Sequence, residues 1–175
     1  MLPGMEPLPV LRGERVTLRP VRGDDHAALL ALLTEPEVAR WWQVWDAERV
    51  REMMTDREEP ALAIEAGGEL VGLLLLGEEQ APMYRHASLD IAIATEHQGK
   101  GLGPEALRLA IAHLIDERKH HRFTIDPSAA NERAIRAYAR LGFKPVGVMR
   151  RYERHADGEW HDGLLMDLLA DELAR

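Results

Sequence analysis

The chain contains no cysteine. That excludes a disulfide framework, a thiol nucleophile and a cysteine-based zinc site. Long hydrophobic runs are also absent. The longest, "LVGLLLL" at 70–76, is strand-sized, far short of the roughly 20 residues of a membrane span. The opening "MLPGMEPLPV" lacks a basic region ahead of an apolar core, so no secretory signal is read there. Basic charge is scarce: 22 Lys and Arg stand against 30 Asp and Glu, a formal net charge of −8. A binder of the nucleic-acid backbone needs the opposite balance. The eight histidines show no metal-ligand spacing. Lys119, His120 and His121 precede a strand, and His155 and His161 flank a turn, so these are expected at the surface and no metal is expected. Neither a nucleic-acid nor a membrane partner is expected, and the cytoplasm is the expected location.

What is present describes an ordinary globular protein. Its 175 residues are 46% apolar and 30% charged, enough for one domain with a real core. Residues 1–10, with three prolines, read as a loose tail, and 11–175 as a single domain. "RVTLRPV" (15–21) alternates like a strand. "GDDHAALLALLTE" (23–35) reads as a helix, capped by Asp24 or Asp25, with Leu29, Leu30, Leu32 and Leu33 as its stripe. A second helical region, 36–54, is broken around Trp41, Trp42 and Trp45. "ALAIEAGGELVGLLLL" (61–76) is a hairpin through Gly67 and Gly68. Strands follow at 87–94 and 122–126, with a helix from 104 to 117 between them. A helix at 131–142 and a closing hairpin turning at Asp157 and Gly158 complete the chain. This order is a mixed α/β sheet with one parallel crossover.

"HQGKGLGPEAL" (97–107) joins the strand at 87–94 to the following helix. Its glycines leave bare backbone at a helix start, where amides lack partners and the macrodipole is positive. Pro104 suits the first helical turn. The local physics is that of an anion site, with Lys100 adding charge. The dinucleotide fingerprint fails at Pro104, and the Walker pattern fails at Gly101 and Ala94.

"QGKGLG" (98–103) resembles the Q/R-x-x-G-x-G/A signature of the GNAT family of N-acetyltransferases. "NERAIRAY" (131–138), followed by "LGF" (141–143), is similar to that family's second segment, N-x-x-A-x-x-x-Y…G-F. The resemblance covers residues 11–170, and within the family it is nearest to aminoglycoside 6'-N-acetyltransferases. It implies a mixed, mostly antiparallel sheet with a splayed central parallel pair and helices on both faces. It also implies acetyl-CoA as donor, a cationic small-molecule amine as acceptor, and direct transfer between them. The acceptor implied is the 6'-amine of an aminoglycoside antibiotic, which would make the chain a resistance enzyme. A protein N-terminal or polyamine acetyltransferase of the same fold, or a sensor that binds acetyl-CoA without turnover, stand as alternatives. The chain is read as a monomer or a homodimer.

The resemblance implies site residues position by position. Gln98, Gly99, Lys100, Gly101, Leu102 and Gly103 would grip the coenzyme pyrophosphate. Ile91, Ala92 and Ile93 would pair with the pantetheine arm through their backbone, and Asn131, Ala134 and Arg136 would border it. Tyr138 would be the acid that protonates the leaving thiolate; seven residues after Asn131, it projects from nearly the same helix face. Asn131 is read either as a helix N-cap or, if Ser128 caps, as a ligand for the arm. Asp90, eight residues before Gln98, would contact the acceptor amine and act as base. The strand pattern turns it away from Leu89, Ile91 and Ile93. Asp126 would line the acceptor site. Trp41 and Trp42 would wall that site, and Asp157 is a further acceptor candidate that equally suits its turn.

Overall fold

Strands that are apolar on both faces need cover on both sides, and the chain supplies it. The computed structural model describes residues 9–56 and 59–174. Positions 1–8 of the expected tail lie outside the described residues; Pro9 and Val10 are exposed and belong to no element. The elements are β1 (Leu11–Arg12), β2 (Thr17–Pro20), α1 (His26–Leu33), α2 (Pro36–Ala39), α3 (Ala47–Thr55), β3 (Ala61–Ala66), β4 (Glu69–Glu79), β5 (His86–Ile93), α4 (Leu102–Asp116), β6 (Arg122–Ile125), α5 (Glu132–Leu141), β7 (Lys144–Arg154) and β8 (Trp160–Leu169).

The described strands form one sheet in the order β1-β2-β3-β4-β5-β6-β8-β7. Every neighbouring pair is antiparallel except β5 and β6. Those two pair only at Ala87 with Phe123 and Ser88 with Thr124. Beyond that point β5 stays on β4 as far as Ile93, and β6 stays on β8. The parallel strands therefore part toward their C-terminal ends, opening the sheet at its centre.

One face of the sheet is covered by α4, whose Ala106, Leu107, Ala110, Ile111 and Leu114 pack on Leu18, Leu74, Leu76 and Leu89. The other face carries α1 and α3, with Leu29, Leu33 and Val50 against Ala61, Leu73 and Ala92. Consecutive leucines of β4 thus go to opposite cores, which explains its unbroken apolar run.

Two sequence expectations change. Asp25 does stand at the α1 N-cap position, but its carboxylate does not cap that helix. It accepts from Arg22 N–H at 2.7 Å and takes the Arg19 guanidinium bidentately at 2.6 and 2.8 Å. Arg19, which is buried, also pairs with Glu65 at 2.7 Å. A buried guanidinium requires such partners, and that need overrides the local cap. His120, expected at the surface, is buried as well, with Nε2 2.5 Å from Glu78 Oε2. Glu78 faces the core from the end of β4, and His120 and Arg118 supply its partners.

Candidate active site

The segment between β5 and α4 is tied back on itself. Gln98 donates its side-chain N–H to the Ile93 carbonyl at 2.8 Å, so its amide holds the loop. Gly99 and Gly101 both take positive φ, 74° and 80°, which side-chain-bearing residues rarely adopt. α4 begins at Leu102, two positions ahead of Pro104, so Gly103 and Pro104 lie inside its first turn. Its first helical bond runs from Glu105 N–H to the Gly101 carbonyl. The amides of Leu102 and Gly103 therefore have no intrahelical acceptor.

This loop borders a cavity of about 320 Å³. Gly99, Gly101, Leu102 and Gly103 form one wall, with Gln98 at its edge. Ile91, Ala92 and Ile93, on the β5 edge that β6 has left, form the next. Asn131, Ala134, Arg136 and Tyr138 of the α5 segment close it. The sequence reading missed Arg133 and Arg140 on that same wall. With Arg136 they recur at a spacing of three and four along α5, which is one helix face. Lys100 is not on the wall; its side chain is exposed, and its carbonyl accepts from Arg15. Free amides, bare glycine backbone and three guanidinium groups suit an elongated anionic ligand such as a coenzyme diphosphate.

A second cavity, about 460 Å³, adjoins the first and shares Trp41, Trp42, Ile91, Asn131 and Tyr138 with it. Asp90 lies on its wall from β5, and Asp126 from the residue after β6. Tyr152 and Glu153 join them from β7, and Trp160 from β8 borders a neighbouring recess that Asp90 and Glu153 also line. Asn131 is the N-cap of α5, accepting from Ala134 N–H at 3.2 Å, so Ser128 does not take that place. Ser128 is buried on the same cavity wall, and its hydroxyl has no hydrogen-bond partner among the described residues. Asp157 is not brought to any of these walls. Its carboxylate accepts from Glu159 N–H at 2.9 Å and meets His161 at 2.9 Å, holding its own turn.

Tyr152 and Glu153 reach the cleft through a bulge. The β7–β8 register shifts between Met149 and Glu153, and Arg151 there has a φ of 51°. Asp162 accepts from the Arg151 N–H at 2.8 Å and fixes the bulge. A Cβ on Gly163 would come within 2.8 Å of the Tyr152 ring, so the bare position on β8 lets that ring lie over it.

The two cavities meet at Tyr138, on a sheet split between two parallel strands. A family model described as an acetyltransferase (GNAT) domain matches residues 15–144. The chain belongs to the GNAT family.

Among its relatives, spermidine N(1)-acetyltransferase of Escherichia coli K12 is 28% identical over 158 residues, 86% of this chain and 84% of that one. Aminoglycoside N(6')-acetyltransferase type 1 of Klebsiella pneumoniae is 30% identical over 160 residues, 78% and 77% of the two chains. The structure of Mycobacterium smegmatis RimJ in complex with CoA-disulfide has a TM-score of 0.79 at 26% identity, covering 95% of this chain and 88% of that one. The same fold is seen in Vibrio cholerae spermidine N-acetyltransferase in complex with CoA and spermine, with a TM-score of 0.79 at 23% identity over 91% and 98%. The GNAT assignment, the fold and acetyl-CoA as cofactor stand; the two curated relatives match about equally, so they do not single out the 6'-aminoglycoside type.

The electrostatics of this GNAT cleft separate its acids. Asp90 is exposed toward the cleft, yet crowding by protein disfavours its charge, and Asp126 adds repulsion; together they push it up to about 7. The N–H of Ile91 directed at its carboxylate opposes that shift. Burial also raises Asp126, against which Tyr152 directs its hydroxyl proton. The same interaction, with burial, pushes Tyr152 up to about 12. Tyr138, only 9% exposed, is raised by burial and by the charges of Asp90 and Asp126, so it keeps its proton through the physiological range. The cleft therefore offers a carboxylate that can take a proton near neutrality and a phenol that holds one.

Proposed function

We propose that the protein acetylates a primary amine of a small polycationic acceptor, with the 6'-amine of an aminoglycoside as the best candidate. One observation carries this reading: Asp90, Asp126 and Glu153 converge on a cavity that meets the glycine-loop cavity at Tyr138. Three carboxylates in one cleft favour a ligand with several ammonium groups over one with a single amine. Trp41, Trp42, Tyr152 and Trp160 give that cleft flat apolar walls, which suit the faces of sugar rings. The aminoglycoside relative supports the same choice.

When bound, acetyl-CoA supplies a thioester carbonyl open to attack by an amine. The free amides of Leu102 and Gly103, with Gly99 and Gly101, would hold its pyrophosphate, and the open β5 edge its pantetheine arm. Asp90 takes a proton from the acceptor ammonium, directly or through water, and so frees the lone pair that forms the new carbon–nitrogen bond. Tyr138 gives its proton to the sulfur as the carbon–sulfur bond breaks. Tyr138 is then reprotonated from the acetylated nitrogen or cleft water, so the net yield is acetamide, free thiol and one proton. Asp126 and Glu153 hold the remaining positive charge of the acceptor. Proximity within one cleft supplies much of the acceleration.

A linear polyamine is the second reading, favoured by the spermidine acetyltransferase relative and served by the same carboxylates. The test is thiol release from acetyl-CoA by purified protein with kanamycin, spermidine and a peptide bearing an N-terminal alanine. The expected order in kcat/KM is kanamycin, then spermidine, then peptide. Spermidine turnover without kanamycin turnover would replace the first reading by the second. Preference for the peptide would sink both, and tight coenzyme binding with no turnover would make the chain a sensor.

A further inference from the structure

The glycine loop is held from behind as well as open in front. Arg15, between β1 and β2, donates from its guanidinium to the Lys100 carbonyl at 2.8 Å and to the Gly101 carbonyl at 3.4 Å. Its Nε donates to Glu105 Oε2 at 2.8 Å, and its backbone N–H to Glu105 Oε1 at 2.7 Å. Val16 N–H joins the same oxygen at 3.2 Å. Burial disfavours the Glu105 charge, but these donors outweigh it and hold the group below the usual carboxylate range. Two glycines make room for the cluster. A Cβ on Gly13 would meet Glu105 Oε1 at 2.9 Å, and one on Gly101 would meet the Arg15 guanidinium at 3.2 Å.

The peptide plane gives this brace a direction. In a trans peptide the carbonyl and the following N–H point opposite ways. Holding the Lys100 and Gly101 carbonyls toward Arg15 therefore turns the N–H groups of Gly101 and Leu102 away from it. Gly101 and Leu102 line the donor cavity, whereas Arg15 does not. We infer that Arg15, anchored by Glu105, is a positioning residue that aims the loop amides at the coenzyme pyrophosphate. This rests on the reading that the glycine loop takes that pyrophosphate. It assigns Gly101 a second purpose, since its bare backbone admits the guanidinium on one side as well as the ligand on the other.

The test compares coenzyme A with pantetheine, which lacks the diphosphate, by calorimetric binding to the full chain. Wild type should bind coenzyme A far more tightly than pantetheine. Arg15→Met, which keeps much of the aliphatic stem, should weaken coenzyme A by about tenfold and leave pantetheine within about twofold. Arg15→Lys should recover only part of the loss, because one ammonium cannot meet two carbonyls and Glu105 together. At saturating acetyl-CoA, kcat should be nearly unchanged while the acetyl-CoA KM rises. The melting temperature of each ligand-free variant reports folding. If Arg15→Met does not fold, Glu105→Gln carries the same comparison, with a smaller loss in the same direction.

Equal weakening of both ligands would mean a general structural role and overturn the inference. So would a variant that discriminates as strongly as wild type, while leaving pyrophosphate binding by the loop intact. Wild type that binds coenzyme A no better than pantetheine would instead overturn the reading of the loop itself, and the inference with it.

Discussion

Asp90 and Asp126 occupy opposed positions across the split in the sheet. The parallel register that pairs Ser88 with Thr124 would, two residues on, set Asp90 against Asp126. The strands have already parted there, so the two carboxylates border a cavity instead of a ladder. The break that opens the sheet thus also gathers its acids, and the charge of Asp126 raises the cost of ionising Asp90.

The pH dependence of acceptor use should show this. With Asp90 pushed up to about 7, kcat/KM for the acceptor should climb through neutrality as Asp90 loses its proton. Asp90→Asn should abolish that limb and lower turnover by about 100-fold, with coenzyme binding little changed. Stability should move the other way. A raised carboxyl binds more protons folded than unfolded between about pH 4 and 7, so wild type loses stability as pH rises through that window. Asp90→Asn, which carries no charge, should melt higher than wild type above pH 7. A variant that melts lower and binds coenzyme poorly would mark Asp90 as structural.

Tyr138 stands at the junction of the two cavities with its ring packed 6.2 Å from that of Phe143. Tyr138→Phe preserves this packing and removes only the hydroxyl, and with it the proton. Turnover should fall by about 100-fold while the coenzyme Kd stays the same. Because burial and nearby acids hold the phenol protonated, no alkaline limb from Tyr138 should appear below about pH 10. Unchanged turnover in the phenylalanine variant would remove Tyr138 from the acid role.

The proposed donor half of the site was far more legible in the sequence than the proposed acceptor half. The glycine loop, Asn131 and Tyr138 lie in two contiguous segments that carry the family motifs, and the structure brings them to one cavity, Lys100 excepted. Strand alternation turns Asp90 away from the apolar face, but only the family resemblance points it to an acceptor, and the structure puts it on the second cavity's wall. Glu153 and Tyr152 were not legible, because a bulge at Arg151 breaks the period on which such readings depend. Their one signal was Gly163, a bare position within a strand. Asp157 shows the reverse: of its two sequence readings, acceptor candidate and turn residue, the structure shows the turn, held by Glu159 and His161. The Arg19–Asp25 pair was equally hidden: Asp25 reads only as a candidate helix cap and Arg19 only as part of a strand, since a pairing between β2 and the start of α1 leaves no periodic trace.

That buried pair should dominate the acid stability of the fold. The Arg19 guanidinium holds Asp25 below the usual carboxylate range. Its contribution is complete above the unfolded value near 3.8 and is lost as pH falls from there toward the folded value. Asp25→Asn should cost about 3 kcal/mol at neutral pH by leaving a buried guanidinium undercompensated. The variant's chemical denaturation midpoint should then change less than that of wild type between pH 5 and 3. A midpoint unchanged at neutral pH would show that Glu65 alone suffices for Arg19.

Tyr152 and Gly163 should act on the acceptor as a unit. Tyr152→Phe removes the proton directed at Asp126, whose carboxyl then rises further and holds the acceptor's positive charge less well. The acceptor KM should increase by about threefold to tenfold at pH 6.5, with the acetyl-CoA KM unchanged. Gly163→Ala would place a methyl group 2.8 Å from the Tyr152 ring and 3.2 Å from Met149 Cε, displacing the phenol from Asp126. It should therefore raise the acceptor KM in the same direction. Since both substitutions remove one interaction, their effects should not add. A double variant no worse than the more impaired single variant bears this out. Fully additive losses would mean that Gly163 serves the hairpin alone and that Tyr152 reaches Asp126 without it.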